Sequence, residues 1–264
     1  MKAKSPILYL RRKFDAFLLK WKAREDHLPL IVKGARQVGK TETVRRFARQ
    51  EYADFIEINF VERPEFKEIV RDGFSVDSII RNISIIDPNL HFTPNETLLF
   101  FDELQEFPEI ATSLKFFAQD GRFDVVCSGS LLGLQVKRVK SYSVGYQETA
   151  LMHSLDFEEF LWGCGYRDEQ ILGLLDPVIA RQPFGAAVKN TMDRLFMDYC
   201  ATGGMPDVLE MYFVKGTFER IPQTQRRILE DYREDIRKYA EGFDPVRIQN
   251  VFDSIPVHLA KENR

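Results

Sequence analysis

Between Lys33 and Thr43 the chain reads Lys-Gly-Ala-Arg-Gln-Val-Gly-Lys-Thr-Glu-Thr, and this stretch limits the fold more tightly than any other. Gly34, Gly39, Lys40 and Thr41 occupy every fixed position of the phosphate-binding loop pattern G-x-x-x-x-G-K-[ST]. At average residue usage the pattern arises by chance in fewer than about one chain in a hundred of this length. The flanks agree with it. Leu28-Pro-Leu-Ile-Val32 is a short apolar run suited to a buried strand, and Lys40 to Tyr52 reads as a helix. Strand, glycine loop and helix is the order such a loop requires.

In a loop of this kind the backbone N–H groups between the glycines wrap a β-phosphate, and the helix N-terminus adds the positive end of its dipole. A side chain at Gly34 or Gly39 would block the close backbone approach. The expected nucleotide contacts are therefore Gly34, Ala35, Arg36, Gln37, Val38, Gly39, Lys40 and Thr41. Lys40 would reach the β- and γ-phosphate oxygens, and the Thr41 hydroxyl would hold Mg2+.

Downstream, strand and helix patterns alternate. Phe55 to Phe60 alternates as a strand, Pro64 suits a helix start, and Val76 to Ile86 reads as a helix ended by Asp87-Pro88-Asn89. Thr97-Leu-Leu-Phe-Phe101 is a continuous apolar run, as in a parallel strand buried on both faces. Pro108 to Gln119 is the next helix, and Phe123 to Cys127 the next strand, ending in Ser128-Gly-Ser130. The alternation implies a right-handed parallel α/β sheet. After about Ser154 the segments Phe157–Trp162, Gly185–Cys200, Pro206–Phe213 and Phe218–Tyr239 all read as helices, punctuated by Gly203-Gly204 and Gly216.

Asp102 and Glu103 stand at the carboxyl end of the Thr97 strand, where open α/β sheets line their ligand crevice. Asp102 is the natural second anchor for Mg2+, and Glu103 is placed to polarise an attacking water as general base. The competing reading is a charge pair stabilised by a helix N-terminus. Ser128 and Ser130 end the next strand, where each hydroxyl either meets a γ-phosphate or belongs to an ordinary Ser-Gly-Ser turn. Of the two, Ser130 is the stronger candidate for a catalytic role beside Lys40 and Glu103. The chain carries no N-K-x-D tetrad for guanine and no D-x-x-G switch motif after the loop, which favours ATP over GTP. An L-S-G-G-Q signature is also absent, against a transporter-type cassette.

Composition narrows the remaining classes. At 264 residues, 44% hydrophobic and 29% charged, with net charge −3, the chain is globular and not basic overall. Cys127, Cys164 and Cys200 form no C-x-x-C pair, and His27, His91, His153 and His258 show no paired-ligand spacing. Reduced, buried cysteines and a cytoplasmic location are expected. No apolar run approaches the ~20 residues of a membrane span. The lead-in carries Lys2, Lys4, Arg11, Arg12, Lys13, Lys20, Lys22 and Arg24 against Asp15, with Phe14, Phe17, Leu18 and Trp21 on one helical face. A core-packed helix with a solvated basic face competes there with a nucleic-acid contact shared with Lys137-Arg138-Val-Lys140. At the other end Val251, Phe252, Ile255 and Leu259 form an apolar stripe in need of a partner, so a further domain is expected after residue 264. The domains read as 1–26, a basic amphipathic helix; 27–154, a P-loop core; 155–245, a helical lid; and 246–264, the start of a truncated segment.

The stretches Ile31 to Thr41, Thr97 to Gln105, Ser113-Leu-Lys-Phe-Phe117, Gly129 to Gly133, Leu155-Asp-Phe-Glu-Glu-Phe160 and Gly203-Gly-Met-Pro206 occur in that order. Together they resemble the prokaryotic AAA+ superfamily P-loop ATPases that carry a carboxyl-terminal restriction-endonuclease-like domain. The resemblance covers nearly the whole chain, including Arg12-Lys13…Trp21-Lys22 and Asp253 to Asn263, and departs from relatives at Ser154, where proline is usual. It implies a five-stranded parallel core, a helical lid, and the start of a winged-helix segment, with the nuclease-like domain missing. It places nucleotide binding on Gly34 to Thr41, Mg2+ and water activation on Asp102 and Glu103, and a sensor-like role on Ser130. A homo-oligomer of ring type would need an arginine finger, with Arg138, Arg233 and Arg237 as candidates. The leading expectation is thus Mg2+-dependent ATP hydrolysis coupled to lid movement. The alternative is an ATP-gated switch or a nucleic-acid-associated interaction module with little turnover.

Overall fold

The computed structural model describes residues 9–130, 145–239 and 244–261. They divide into two compact units. One comprises Leu28–Arg36, Ala48–Leu151 and Arg226–Arg264; the other comprises Met1–His27, Gln37–Phe47 and Met152–Gln225.

The first unit is built on a five-stranded sheet. Its strands are β1 (Leu30–Gly34), β2 (Asp54–Asn59), β3 (Thr97–Asp102), β4 (Asp124–Ser130) and β5 (Glu148–Met152), in the spatial order β2-β3-β4-β1-β5. β2, β3, β4 and β1 run parallel. Every residue of β3 is buried, which is why its sequence shows no alternation: both faces are covered. The helix Val76–Ile86 packs on the sheet through Val76, Ile79 and Ile83, with Ser75 capping its start by accepting from the Ser78 N–H at 3.3 Å. Sheet and helix share one core with Phe60, Phe66, Phe101, Leu114 and Phe117.

Two stretches read as α-helix from the sequence begin as tighter 3-10 turns, Pro64–Val70 and Pro108–Ser113; the latter continues as the short α-helix Leu114–Asp120. Proline fixes φ at each start but offers no N–H, and 3-10 pairing is at home in short runs of this kind. Two later helices complete this unit, Ile221–Tyr239 (from Arg226 onwards) and Pro245–Lys261. They meet through Arg233 and Asp253 at 3.0 Å and through the stacked rings of Tyr232 and Phe252. Val251, Ile255 and Leu259 of the expected stripe are exposed.

The second unit holds the lead-in helix Lys13–Lys22, most of the helix Lys40–Glu51, and the helices from Phe157 to Lys215. The expected aromatic stripe narrows in the lead-in helix: Leu18 and Trp21 are buried, whereas Phe17 is 37% exposed. Trp21 packs edge-on to Phe47 and His27. A second core forms around Leu155, Phe160, Leu161, Leu195 and Leu209, with Phe160 surrounded by Tyr199, Tyr212 and Phe213. Gly204 is required there by close approach. A Cβ on it would lie 1.9 Å from the Leu155 carbonyl oxygen, and the Leu155 N–H already donates to the Gly204 carbonyl at 2.8 Å. All three cysteines are free thiols, but the expectation of burial holds only for Cys127; Cys164 is half-buried and Cys200 exposed.

Candidate nucleotide site

The glycine loop leaves β1 at Gly34 and enters the helix at Lys40. Between them the backbone turns twice through left-handed conformations, at Gln37 (φ 64°) and Gly39 (φ 95°). Gly39 meets its value without penalty, whereas Gln37 gives up about 1–2 kcal/mol. Strain held at a non-glycine residue points to a function for the loop's shape. The Thr43 N–H donates to the Gly39 carbonyl at 3.0 Å, so the helix begins directly beneath the loop. Lys40 and Thr41 are its first two residues.

Arg36 is held from the distant helix Ile221–Tyr239. Its guanidinium meets the Asp235 carboxylate at 2.5 Å, and the Tyr232 hydroxyl donates to its carbonyl at 2.9 Å. Burial pulls the Arg36 pKa down, and Asp235 more than reverses this, leaving it raised. On the same helix, Lys238 pairs with Glu106 at 2.8 Å.

The acidic end of β3 forms the second cluster. In the parallel register Phe101 stands opposite Cys127, and Asn59 opposite Asp102, so Asn59, Asp102 and Ser128 come level across three strands. Asp102 is buried. Its Oδ1 accepts from the Ser128 hydroxyl and from the Glu103 N–H at 3.1 Å, and its Oδ2 accepts from Asn59 Nδ2 at 3.3 Å. A carboxylate so surrounded by donors is fixed in orientation.

Glu103 then leaves the strand in a left-handed conformation, φ 58° and ψ 48°. Gln105, also buried, explains where its side chain goes. The Gln105 amide nitrogen donates to the Glu103 carboxylate, while its Oε1 accepts from the Ser130 N–H at 3.2 Å. Only one orientation of that amide satisfies both partners. Ser130 in turn stands opposite Gly34 in the register of β4 with β1.

The sequence-derived candidates Asp102, Glu103, Ser128 and Ser130 therefore form one hydrogen-bonded cluster, to which Asn59 and Gln105 must be added. Asn59 ends an apolar strand and Gln105 lies in the short 3-10 turn after one, but their partners lie across strand register. Arg233, a finger candidate, is paired with Asp253; Arg138 lies outside the described residues. In the basic lead-in, Arg11 pairs with Asp168, Lys13 with Asp156 and Glu158, and Arg12 with buried Glu159, so those charges are already matched. Lys2, Lys4 and Lys137 to Lys140 are outside the described residues.

Among the described residues no group of three or more His, Cys, Asp or Glu could hold a metal ion. An Mg2+ ion at this site would thus draw most of its ligands from phosphate oxygens and water, the usual habit of that ion. Among the same residues no helix is long and apolar enough to cross a membrane.

A family model described as an AAA domain matches residues 26–161, just over half of the chain. Another, described as a domain of unknown function (DUF8612), matches residues 193–263. No curated protein matches the chain. Among solved structures, one titled "Structure of C. elegans PCH-2" is similar at 10% identity over 85% of this chain and 68% of that one, with a TM-score of 0.43. A likeness that loose carries no functional argument.

Proposed function

The chain belongs to the AAA domain family, and on that premise we propose that it binds ATP with Mg2+ and hydrolyses it. The observation that carries this reading is the Asp102–Glu103 cluster, a buried carboxylate fixed by three donors beside a strained glutamate, at the carboxyl end of the sheet that also launches the glycine loop.

In this reading the N–H groups from Ala35 to Thr41 hold the phosphates, and Lys40 pairs with the β- and γ-phosphate oxygens. The Thr41 hydroxyl and the Asp102 carboxylate would hold the metal, which would supply neutralisation of charge on the phosphate oxygens. Glu103 takes a proton from the attacking water. Gln105 keeps that carboxylate turned inward and ties it to Ser130, whose place beside Gly34 suits a sensor of the γ-phosphate.

The same contacts support a coupled movement of the helical segment. Tyr232 and Asp235 hold Arg36, so phosphates entering the loop alter the surroundings of the helix Ile221–Tyr239 and of the helix packed on it. What that movement drives, in a further domain of the restriction-endonuclease-like kind, in a homo-oligomer or on nucleic acid, belongs to the resemblance in sequence.

The test is ATP turnover in two variants. Glu103→Gln should bind ATP as the wild type does and lose hydrolysis by a factor of about a hundred or more. Lys40→Ala should bind ATP about a hundredfold more weakly. Turnover at the wild-type rate in Glu103→Gln removes Glu103 from the chemistry, and slow turnover with tight ATP retention in the wild type favours the switch.

A further inference from the structure

We infer that Arg12 is a positioning residue of the phosphate loop, holding the Val38–Gly39 peptide so that the Gly39 N–H is presented to the phosphates of a bound nucleotide. The inference rests on the nucleotide reading above and adds a residue to it that lies well upstream of the loop.

Arg12 sits in the basic lead-in, where surface exposure is the ordinary expectation, yet it is only 5% exposed. Its guanidinium is used on three sides. Nη1 donates to the Val38 carbonyl at 2.8 Å, Nη2 to the His153 carbonyl at 2.6 Å, and Nε to Glu159 at 3.3 Å. Glu159 is itself buried and fixed at both oxygens. Its Oε1 also accepts from the Lys13 N–H at 2.7 Å, and its Oε2 from the Asp156 N–H at 3.0 Å, within the capping box that starts the helix Phe157–Gly163. The chain therefore holds Glu159 rigid, Glu159 orients Arg12, and Arg12 holds the loop.

Peptide geometry turns that hold into function. The Val38–Gly39 unit is planar and trans, so its C=O and its N–H point in opposite directions. With the Val38 carbonyl fixed on Arg12, the Gly39 N–H is aimed away from Arg12. Gly39 stands at φ 95°, where glycine has no Cβ to lock the backbone, so this peptide can flip in the absence of an external hold. The guanidinium also lies close behind the turn, 3.5 Å from where a Gly39 Cβ would be. A lysine would supply the charge but not a planar fork able to reach three acceptors on separate segments.

A buried arginine of this sort is otherwise read as core glue, and the experiment separates the two. The double variant Arg12→Met with Glu159→Met removes both charges, a replacement buried ion pairs often tolerate, and leaves the Val38 carbonyl without its donor. Affinities for ADP and AMP are measured with a thermal melt, alongside amide hydrogen exchange of the peptide covering residues 36–42 without nucleotide. ADP affinity should fall by about tenfold to a hundredfold, the loss of one charge-assisted orienting bond, while AMP changes by less than about twofold and exchange accelerates. Wild-type ADP affinity in the folded double variant overturns the inference. So does an equal loss for ADP and AMP with unchanged exchange, which would mark a packing role alone. Should the double variant lack a cooperative melt, Arg12→Lys carries the same test, with an intermediate ADP loss expected and wild-type affinity overturning it. A wild type that binds neither ADP nor ATP brings down the nucleotide reading itself, a result distinct from a variant that binds normally.

Discussion

Gln105→Leu removes the link between Glu103 and Ser130 at nearly constant volume. Two hydrogen bonds are lost, one from the Gln105 amide to the Glu103 carboxylate and one from the Ser130 N–H to Gln105 Oε1 at 3.2 Å. Gln105 is only 2% exposed, so water does not reach its place. The bond from the half-buried Ser130 N–H contributes about 1 kcal/mol. Glu103 is also half-buried and its carboxylate recovers water, adding roughly 0.5–1 kcal/mol. A total near 2 kcal/mol is expected from urea unfolding. The effect on chemistry should be larger than the effect on binding, because the side chain touches the base and not the loop. Single-turnover hydrolysis should fall by about tenfold to a hundredfold, with ATP affinity within about twofold of the wild type. Gln105→Glu extends the test: a second carboxylate cannot donate to Glu103 and repels it, so single-turnover hydrolysis should fall at least as far as in Gln105→Leu. Wild-type single-turnover rates in a folded Gln105→Leu protein would refute the orienting role.

Further outcomes follow from the same contacts. Gly204→Ala places a Cβ against the Leu155 carbonyl and should cost more than about 3 kcal/mol, whereas Gly203→Ala meets open space but must hold φ 69° and ψ −171°, a region nearly confined to glycine, and should cost about 1–3 kcal/mol; paired thermal melts check the order. Alkaline stability is set partly in the second core. Burial, then the hydrogen bond to Asp198, pushes the Tyr212 pKa up to about 12, and burial, then the Asp198 charge, pushes Cys164 up to about 11. The neutral forms are favoured in the folded protein, so this stability is complete below the unfolded pKa values, near 8.5 for Cys and 10 for Tyr, and is lost as pH climbs through about 11 and 12. Tyr212→Phe should flatten the upper part of that loss in urea melts, and an unchanged profile would contradict the assignment.

The features legible in the sequence are those written in contiguous residues. The glycine pattern from Gly34 to Thr41, the unbroken apolar run ending in Asp102, and the alternation of strand and helix needed only local spacing. What escaped depends on register or on long separation. Asn59 meets Asp102 because β2 and β3 pair at one register, and Gln105 meets Ser130 because β4 lies beside β3. Arg12 and Glu159 are 147 residues apart, and Arg36 and Asp235 are 199 apart. The basic lead-in looked like a single charged face because composition does not reveal that Arg11, Arg12 and Lys13 each find acids from the segment after residue 155. The 3-10 turns at Pro64 and Pro108 escaped for a different reason: periodicity over six or seven residues cannot separate 3.0 from 3.6 residues per turn.

Calorimetric titration of ATP with Mg2+ into the wild type and into Lys40→Ala tests the central claim most directly. The wild type should show saturable binding that Lys40→Ala weakens by about a hundredfold, the loss expected for one charge-assisted contact to phosphate oxygens. No binding by the wild type, or equal binding by a folded Lys40→Ala protein, would contradict a phosphate site built on this loop.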